Sequence, residues 1–300
     1  GEDQTILNFQ NADASTTRTL QYNTNPPGNP GGTFDLVSIG PDDPAARTDD
    51  VATSDFNIIA TTVDGVGSGS EMIDLAVNGD LKSEEQNPGT FDAFAGALGF
   101  QREPEGFFGL GSNLIKFVDG SIAEVIAYSQ ALNDAQRILV ENYLAAKYAV
   151  GLETGNGATD VYVGDESGNG DYDRGVFGIG RESASDTHRA GEADGLRFDN
   201  PSGLDDGDYL MAGHKEPETD DPGSKVTAQD VSAPVEQRLQ RVWFVSRTDP
   251  GSDLTTDVTV DLSTLAGDPS NYVLLEQGTA GSGTFSVKIS GADVTTDKQV

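Results

Sequence analysis

The apolar residues of this chain come in short alternating runs, each cut off by glycine, proline, asparagine or aspartate. That pattern builds strands joined by turns and leaves little room for helices. FNIIATTVDG (56–65) alternates, so Phe56, Ile58 and Ala60 share one side. EMIDLAVNGDLKSE (71–84) is two such runs around Asn78-Gly79. Asn-Gly suits a type I′ hairpin, because both central residues need a positive φ. TRTLQY (17–22), TFDLVSI (33–39), VTVDLS (258–263), NYVLLEQ (271–277) and TFSVKIS (284–290) read as further strands. NLIKFVDGSIAEVIAYSQ (113–130) reads as strand, turn, strand, and another strand is expected from Asp208 to Ala212. RLQRVWFVSR (238–247) carries the only Trp, Trp243. An exposed Trp could stack on a sugar, but one inside an alternating strand more often packs in a core.

One segment breaks the period. NDAQRILVENYLAAKYA (133–149) has Asn133 at the N-cap position and Gln136 three residues on, the spacing of a capping box. Asp134 in the first turn and Lys147 in the last suit the helix dipole. Ala135, Leu139, Tyr143 and Ala146 form an apolar stripe, and Gly151 is placed to end the helix.

Composition removes several functions. The net charge is −32, from 50 acidic and 18 basic residues, and this repels the phosphates of DNA and RNA. Three readings of the charge stand: a surface kept soluble in salt, carboxylates for divalent cations, or simply a solvated surface. Seven Lys against eleven Arg lean towards salt adaptation. With no Cys, disulfides, thiolate metal sites and Cys nucleophiles are excluded. No run of about 18 apolar residues occurs, so no membrane insertion is expected. The start GEDQ fits either a removed targeting peptide or a segment cut from something larger, and the end GADVTTDKQV, strand-like without a closing element, leads to the expectation of a fragment of a longer chain.

The stretch GSIAEVIAYSQALNDAQRILVENYLAAKY resembles the end of laminin-G-like, concanavalin A-like jelly-roll modules of bacterial surface proteins. In that family a strand of this type is followed by a turn and a closing helix. Residues 160–300 resemble the β-domain that often trails such modules, through DYDRGVFGIGRES (171–183) and RLQRVWFVS (238–246). The resemblance implies extracellular or cell-surface location, and glycan or cell-surface ligands as partners. One departure is that no W-x-D-Q-S-G-N-G segment precedes residue 56. Either the first strands of the jelly roll are missing, or another chain completes its edge by strand addition.

No catalytic set is legible. Glycoside hydrolases of related fold need paired carboxylates on one strand face. Glu71 and Asp74 are three apart and face opposite sides of a strand. His188 and His214 lie in polar sequence, expected to be surface loops, with no nucleophile partner and no zinc spacing. GVFGIG (175–180) lacks the Lys and the strand-to-helix context of a phosphate loop and reads as a β-turn.

DESGNGDYD (165–173) is the candidate metal loop. Asp165, Ser167, Asn169 and Asp173 fall at ligand positions 1, 3, 5 and 9 of an EF-hand, with Gly170 at the bend and the Asp171 carbonyl at position 7. Val176 takes the place of the bidentate Glu at position 12. A weak calcium site and a plain polar turn are both open.

The sequence therefore predicts an all-β protein of two tandem β-sandwich domains. The first, 1–150, is a jelly roll with one closing α-helix; 151–159 is a linker; the second is 160–300. The expected role is a non-enzymatic binding or structural segment of a bacterial adhesin, supported by calcium. The alternative is a fibre subunit that exchanges strands with copies of itself.

Overall fold

The computed structural model describes residues 3–10, 17–23, 32–39, 45–51, 55–64, 71–87, 121–153, 160–215, 225–227, 235, 237–248, 253–261, 272–277 and 286–289. Among these the chain is mostly β-sheet with a single helix. It divides into two compact units, 1–132 with 150–159, and 133–149 with 160–300.

The first unit holds two antiparallel sheets. β1 (Asp3–Gln10), β2 (Thr17–Asn23), β3 (Gly32–Ile39) and β4 (Ala45–Val51) pair in sequence order. β4 falls in PDDPAARTDDVATS (41–54), whose polar composition reads as a connection and not as a strand. β5 (Ile59–Asp64), β6 (Glu71–Val77) and β7 (Asp80–Asn87) form a three-stranded meander. Asn78 and Gly79 turn the β6–β7 hairpin with φ of 50° and 85°, as a type I′ turn requires. Asn78 does more than turn: its Oδ1 accepts from the Ile58 N–H at 2.9 Å and its Nδ2 donates to Asn57 Oδ1 at 2.9 Å. Behind it Leu75, Ala76 and Val77 are buried. Phe56 precedes β5 and is exposed, whereas Ile58 is buried.

Residues 121–128 keep the expected alternation but form no strand, and Ile122, Val125, Ile126 and Tyr128 are exposed. The preceding run, 113–120, lies outside the described residues.

The second unit begins with α1 (Asp134–Tyr148). Its capping box is complete: the Gln136 N–H donates to Asn133 Oδ1 at 2.9 Å, and the Asn133 N–H donates to Gln136 Oε1 at 3.1 Å. The helix ends on Ala149 in the left-handed region, φ 52°, ahead of the expected Gly151. The expectation that this helix closes the first domain is corrected here: it packs on the second unit. The buried Asn142 side chain explains why. Its Oδ1 accepts from the Val161 and Tyr162 N–H groups at 2.9 and 3.1 Å, tying α1 to the chain that follows the linker.

One sheet of this unit runs β15 (Trp243–Thr248), β12 (Asp208–His214), β8 (Arg174–Arg181), β9 (Thr187–His188). A second runs β10 (Gly191–Ala193), β11 (Leu196–Ser202), β16 (Thr255–Val260). The short ladders β13 (Lys225–Thr227) with β14 (Gln237–Leu239), and β17 (Leu274–Glu276) with β18 (Ser286–Ile289), complete the elements. β8 and β12 are buried on both faces, and period-2 alternation sorts their side chains. Val176, Tyr209 and Met211 meet Ile138, Leu139 and Ala146 of the helix. Phe177, Ile179 and Ala212 meet Leu196 and Phe198 of the other sheet. GVFGIG is thus a central strand and not a turn. Its glycine at 178 sits where a Cβ would come within 2.7 Å of Met211 Cγ and 3.1 Å of Leu139 Cδ2, so small size here lets the helix lie close.

Candidate functional site

The acidic loop DESGNGDYD forms a tight excursion before β8. Its neck is closed by the Tyr172 N–H donating to the Gly164 carbonyl at 2.8 Å. Asn169 Nδ2 donates to the Val163 carbonyl at 2.6 Å, so its side chain braces the turn. Ser167 and Asp171 are exposed, and Gly170 and Asp171 take φ of 105° and 59°. Burial, then the neighbouring Asp160, Glu166 and Asp173, push the Asp165 carboxyl up to about 6. Among the described residues no group of three His, Asp or Glu side chains is gathered to hold a metal ion. Asp165, Ser167, Asn169, Asp171 and Asp173 share this one turn, in which the Asn169 amide is engaged in bracing the backbone.

A cleft of about 370 Å³ opens beside this loop, within the second unit. Its polar lining is Tyr143 and Lys147 from α1, Asp173 and Arg174 at the start of β8, Asp194 from the β10–β11 turn, and His214 at the end of β12. His214 was expected on the surface; it is only 4% exposed. Its Nε2 lies 2.9 Å from Asp194 Oδ2, and its Nδ1 lies 2.7 Å from the Lys215 carbonyl. A carbonyl can only accept, so Nδ1 carries a hydrogen. The ring stands edge-on to Trp243 with centroids 4.8 Å apart, and Trp243 stands edge-on to Phe177 at 5.9 Å. Trp243 therefore joins the core side, as its alternating strand suggested.

Backbone geometry makes room for the His–Asp pair. The β8–β12 register shifts between Ala212 and His214, leaving an irregularity at the start of β8. Gly175 sits there with φ 55°, and a Cβ on it would come within 3.1 Å of His214 Nε2 and collide with Asp194 Oδ2. Asp194 and Gly195 turn the β10–β11 hairpin with φ of 46° and 85°, the same Asx-Gly device as Asn78-Gly79. Arg241 pins that turn by donating to the Asp194 carbonyl at 2.7 Å. On the opposite wall Lys147 Nζ donates to the Tyr143 hydroxyl at 2.8 Å. Arg174 Nε lies 3.9 Å from Asp173 Oδ1.

Of the five candidate metal residues only Asp173 lines the cleft. Sequence reasoning missed the rest of its lining. The legible signal was Asp194-Gly195, which fixes a carboxylate at a hairpin tip. His188 is in β9 and half-buried, and burial lowers its pKa.

What the described residues define is a β-rich chain with a single helix and, in its second unit, a cleft bordered by charged side chains. A family model matches residues 136–300, more than half of the chain, and the chain belongs to that family, described as a domain of unknown function (DUF8202). The match starts inside α1, in keeping with the helix belonging to the second unit. No curated protein and no solved structure matches the chain.

Proposed function

We propose that this chain is a binding segment of a bacterial surface adhesin, acting outside the cell by recognition and not by catalysis. It would comprise a jelly roll followed by a second β-sandwich. Two sheets sharing the Phe177–Phe198 cluster support the second sandwich. The laminin-G-like stretch at 120–149 and the −32 charge support the surface setting. The observation that carries the reading is the cleft: polar groups held in place before any ligand arrives are how binding sites obtain specificity. The test is adhesion of the purified, folded chain to glycan arrays and to intact cell surfaces. Saturable binding is expected; a folded chain that binds neither overturns the reading.

A second reading, a fibre subunit joined by strand exchange, is favoured by β16. Among the described residues it pairs only with β11, and its Val258 and Val260 are 55% and 42% exposed. An unguarded β-branched edge is a template for another strand. Sedimentation at high concentration in salt checks this, and a strictly monomeric chain rejects it. Calcium support rests on the loop sequence and is tested below.

A further inference from the structure

The two main sheets of the second unit leave part of their shared apolar layer uncovered, and the chain carries a segment that fits it. Val258 and Val260 of β16 stand opposite Phe198 and Leu196 of β11. Paired residues share a face, so both valines point to the side where Phe198 and Leu196 pack against Phe177, Ile179 and Ala212. Val245 of β15 stands opposite Ala212, which stands opposite Phe177, so it points into the same layer. Yet all three valines are exposed. β15 and β16 are each last in the order of their sheet, and residues 249–254 join them. An inward-facing β-branched row left open at a sheet's rim is what an added strand completes.

We infer that residues 121–128 of a second copy of this chain add to that rim, with Ala123, Val125 and Ala127 turned inwards, so that copies join head to tail. The inference rests on the fibre reading above and names its donor and its acceptor. SIAEVIAY (121–128) alternates and is rich in β-branched residues, yet it forms no strand, and Ile122, Val125 and Ile126 are exposed. Alternation puts Ala123, Val125 and Ala127 on one face, all of them apolar. The segment's single charge, Glu124, falls on the other face with Ile122 and Ile126, and stays in solvent when the first face is covered. In a chain of net charge −32, a stretch with one charge is what a second copy can receive at least electrostatic cost.

The tether selects a second copy over the same chain. Asn133, where the donor's side of the chain enters the second unit, donates from Nδ2 to the Thr187 carbonyl at 3.2 Å. Thr187 belongs to β9, and the sheet runs β15-β12-β8-β9, so the donor is anchored at the edge far from β15. Residues 129–132, fully extended, reach about 13 Å. The route to the β15 rim crosses three strand spacings, about 14 Å, and then the thickness of the sheet as well. A strand laid along the rim of its own unit is out of reach; the rim of another copy is not. Donor at one edge and acceptor at the other is a heterologous contact, and such contacts build open chains of copies.

The experiment follows the full chain by sedimentation at about 0.1 and about 1 M NaCl. Self-association is expected, and it should be stronger at the higher salt, where chains of −32 repel each other less. Val125→Lys and Val258→Lys each put a charge where the added strand packs, and each should weaken self-association at least about tenfold. Both residues are exposed in the single chain, so the thermal melt should stay in place. Mixed, the variants should pair one with the other and grow no further, because each keeps the half that its partner has lost. A peptide of residues 121–130 should cap wild-type assembly. Assembly that survives either Val125→Lys or the peptide overturns this donor, and assembly that survives Val258→Lys overturns this rim; in both cases the fibre reading stands. Variants that stay single when mixed overturn the head-to-tail pairing. A wild type that is monomeric at both salts removes the fibre reading and this inference together.

Discussion

Asp165 should be a liability at neutral pH. Its carboxyl is pushed from an ordinary 3.8 up to about 6, first by burial and then by Asp160. A folded-state pKa above the unfolded one means the native state binds the proton more tightly. Stability is then full below about 4, falls as pH rises towards 6, and stays low above it. At full burial a rise of that size is worth about 3 kcal/mol. Asp165 is only half-buried, and solvent screening brings the expected net effect to about 1 kcal/mol. Asp165→Asn keeps the shape and removes the charge. In chelator at pH 7.5 the variant should be more stable than the wild type by about 1 kcal/mol, a rise of roughly 2–4 °C in Tm for a unit of this size. At pH 4 the two should coincide.

Denaturant unfolding followed by Trp243 emission is the assay, because that residue reports the second unit alone. A variant less stable than the wild type at pH 7.5 in chelator would refute the reasoning, since the carboxylate would then be holding something together. Repeating the pH 7.5 pair in millimolar calcium tests the metal expectation. A gain in the wild type that the variant lacks assigns the ion to this loop; parallel curves make the loop a turn.

Three further substitutions test the packing. Asn142→Ala strands the Val161 and Tyr162 N–H groups in a buried site and should cost about 2–4 kcal/mol by Trp243-detected unfolding. Gly175→Ala meets a positive φ and the Asp194 carboxylate together, so it should cost at least about 1 kcal/mol and red-shift Trp243 emission as His214 moves. Asn78→Ala loses both the turn conformation and the bracket to Asn57 and Ile58, about 1–2 kcal/mol by thermal melt. Asn78→Gly keeps the turn and should recover only part of that loss.

What the sequence made legible was local. The capping box, the Asn78-Gly79 turn and the apolar stripe of α1 each depend on residues within a turn or two of one another, and each is where the sequence put it. The errors have two causes, a partner far away in the chain and a strand whose own glycines blur its period. The helix was assigned to the wrong unit because nothing in 133–149 announces that Asn142 will bond 161–162 across the linker. β8 was hidden because Gly178 and Gly180 take the helix-facing positions, which erases the alternation that marks a strand.

His214 shows the same limit at the site. Read along the chain it opens a polar stretch, HKEPETDD, and looks exposed. In the fold it closes β12, opposite Trp243 on one side and Arg174 on the other. The Trp243 ring packs edge-on against it, and Asp194 at the tip of another hairpin fixes its orientation. Apart from Tyr143 inside α1, each cleft residue lies at or near the end of an element, where periodicity stops carrying information. The glycines at 175 and 195 are the local trace of the site, since each accepts a positive φ that sets the carboxylate of Asp194 against the ring. Two glycines, one within β8 and one in a turn, that serve a single His214–Asp194 contact are hard to explain by hairpin geometry alone. A hairpin needs only the second. The first makes sense if the recess itself is what the fold preserves.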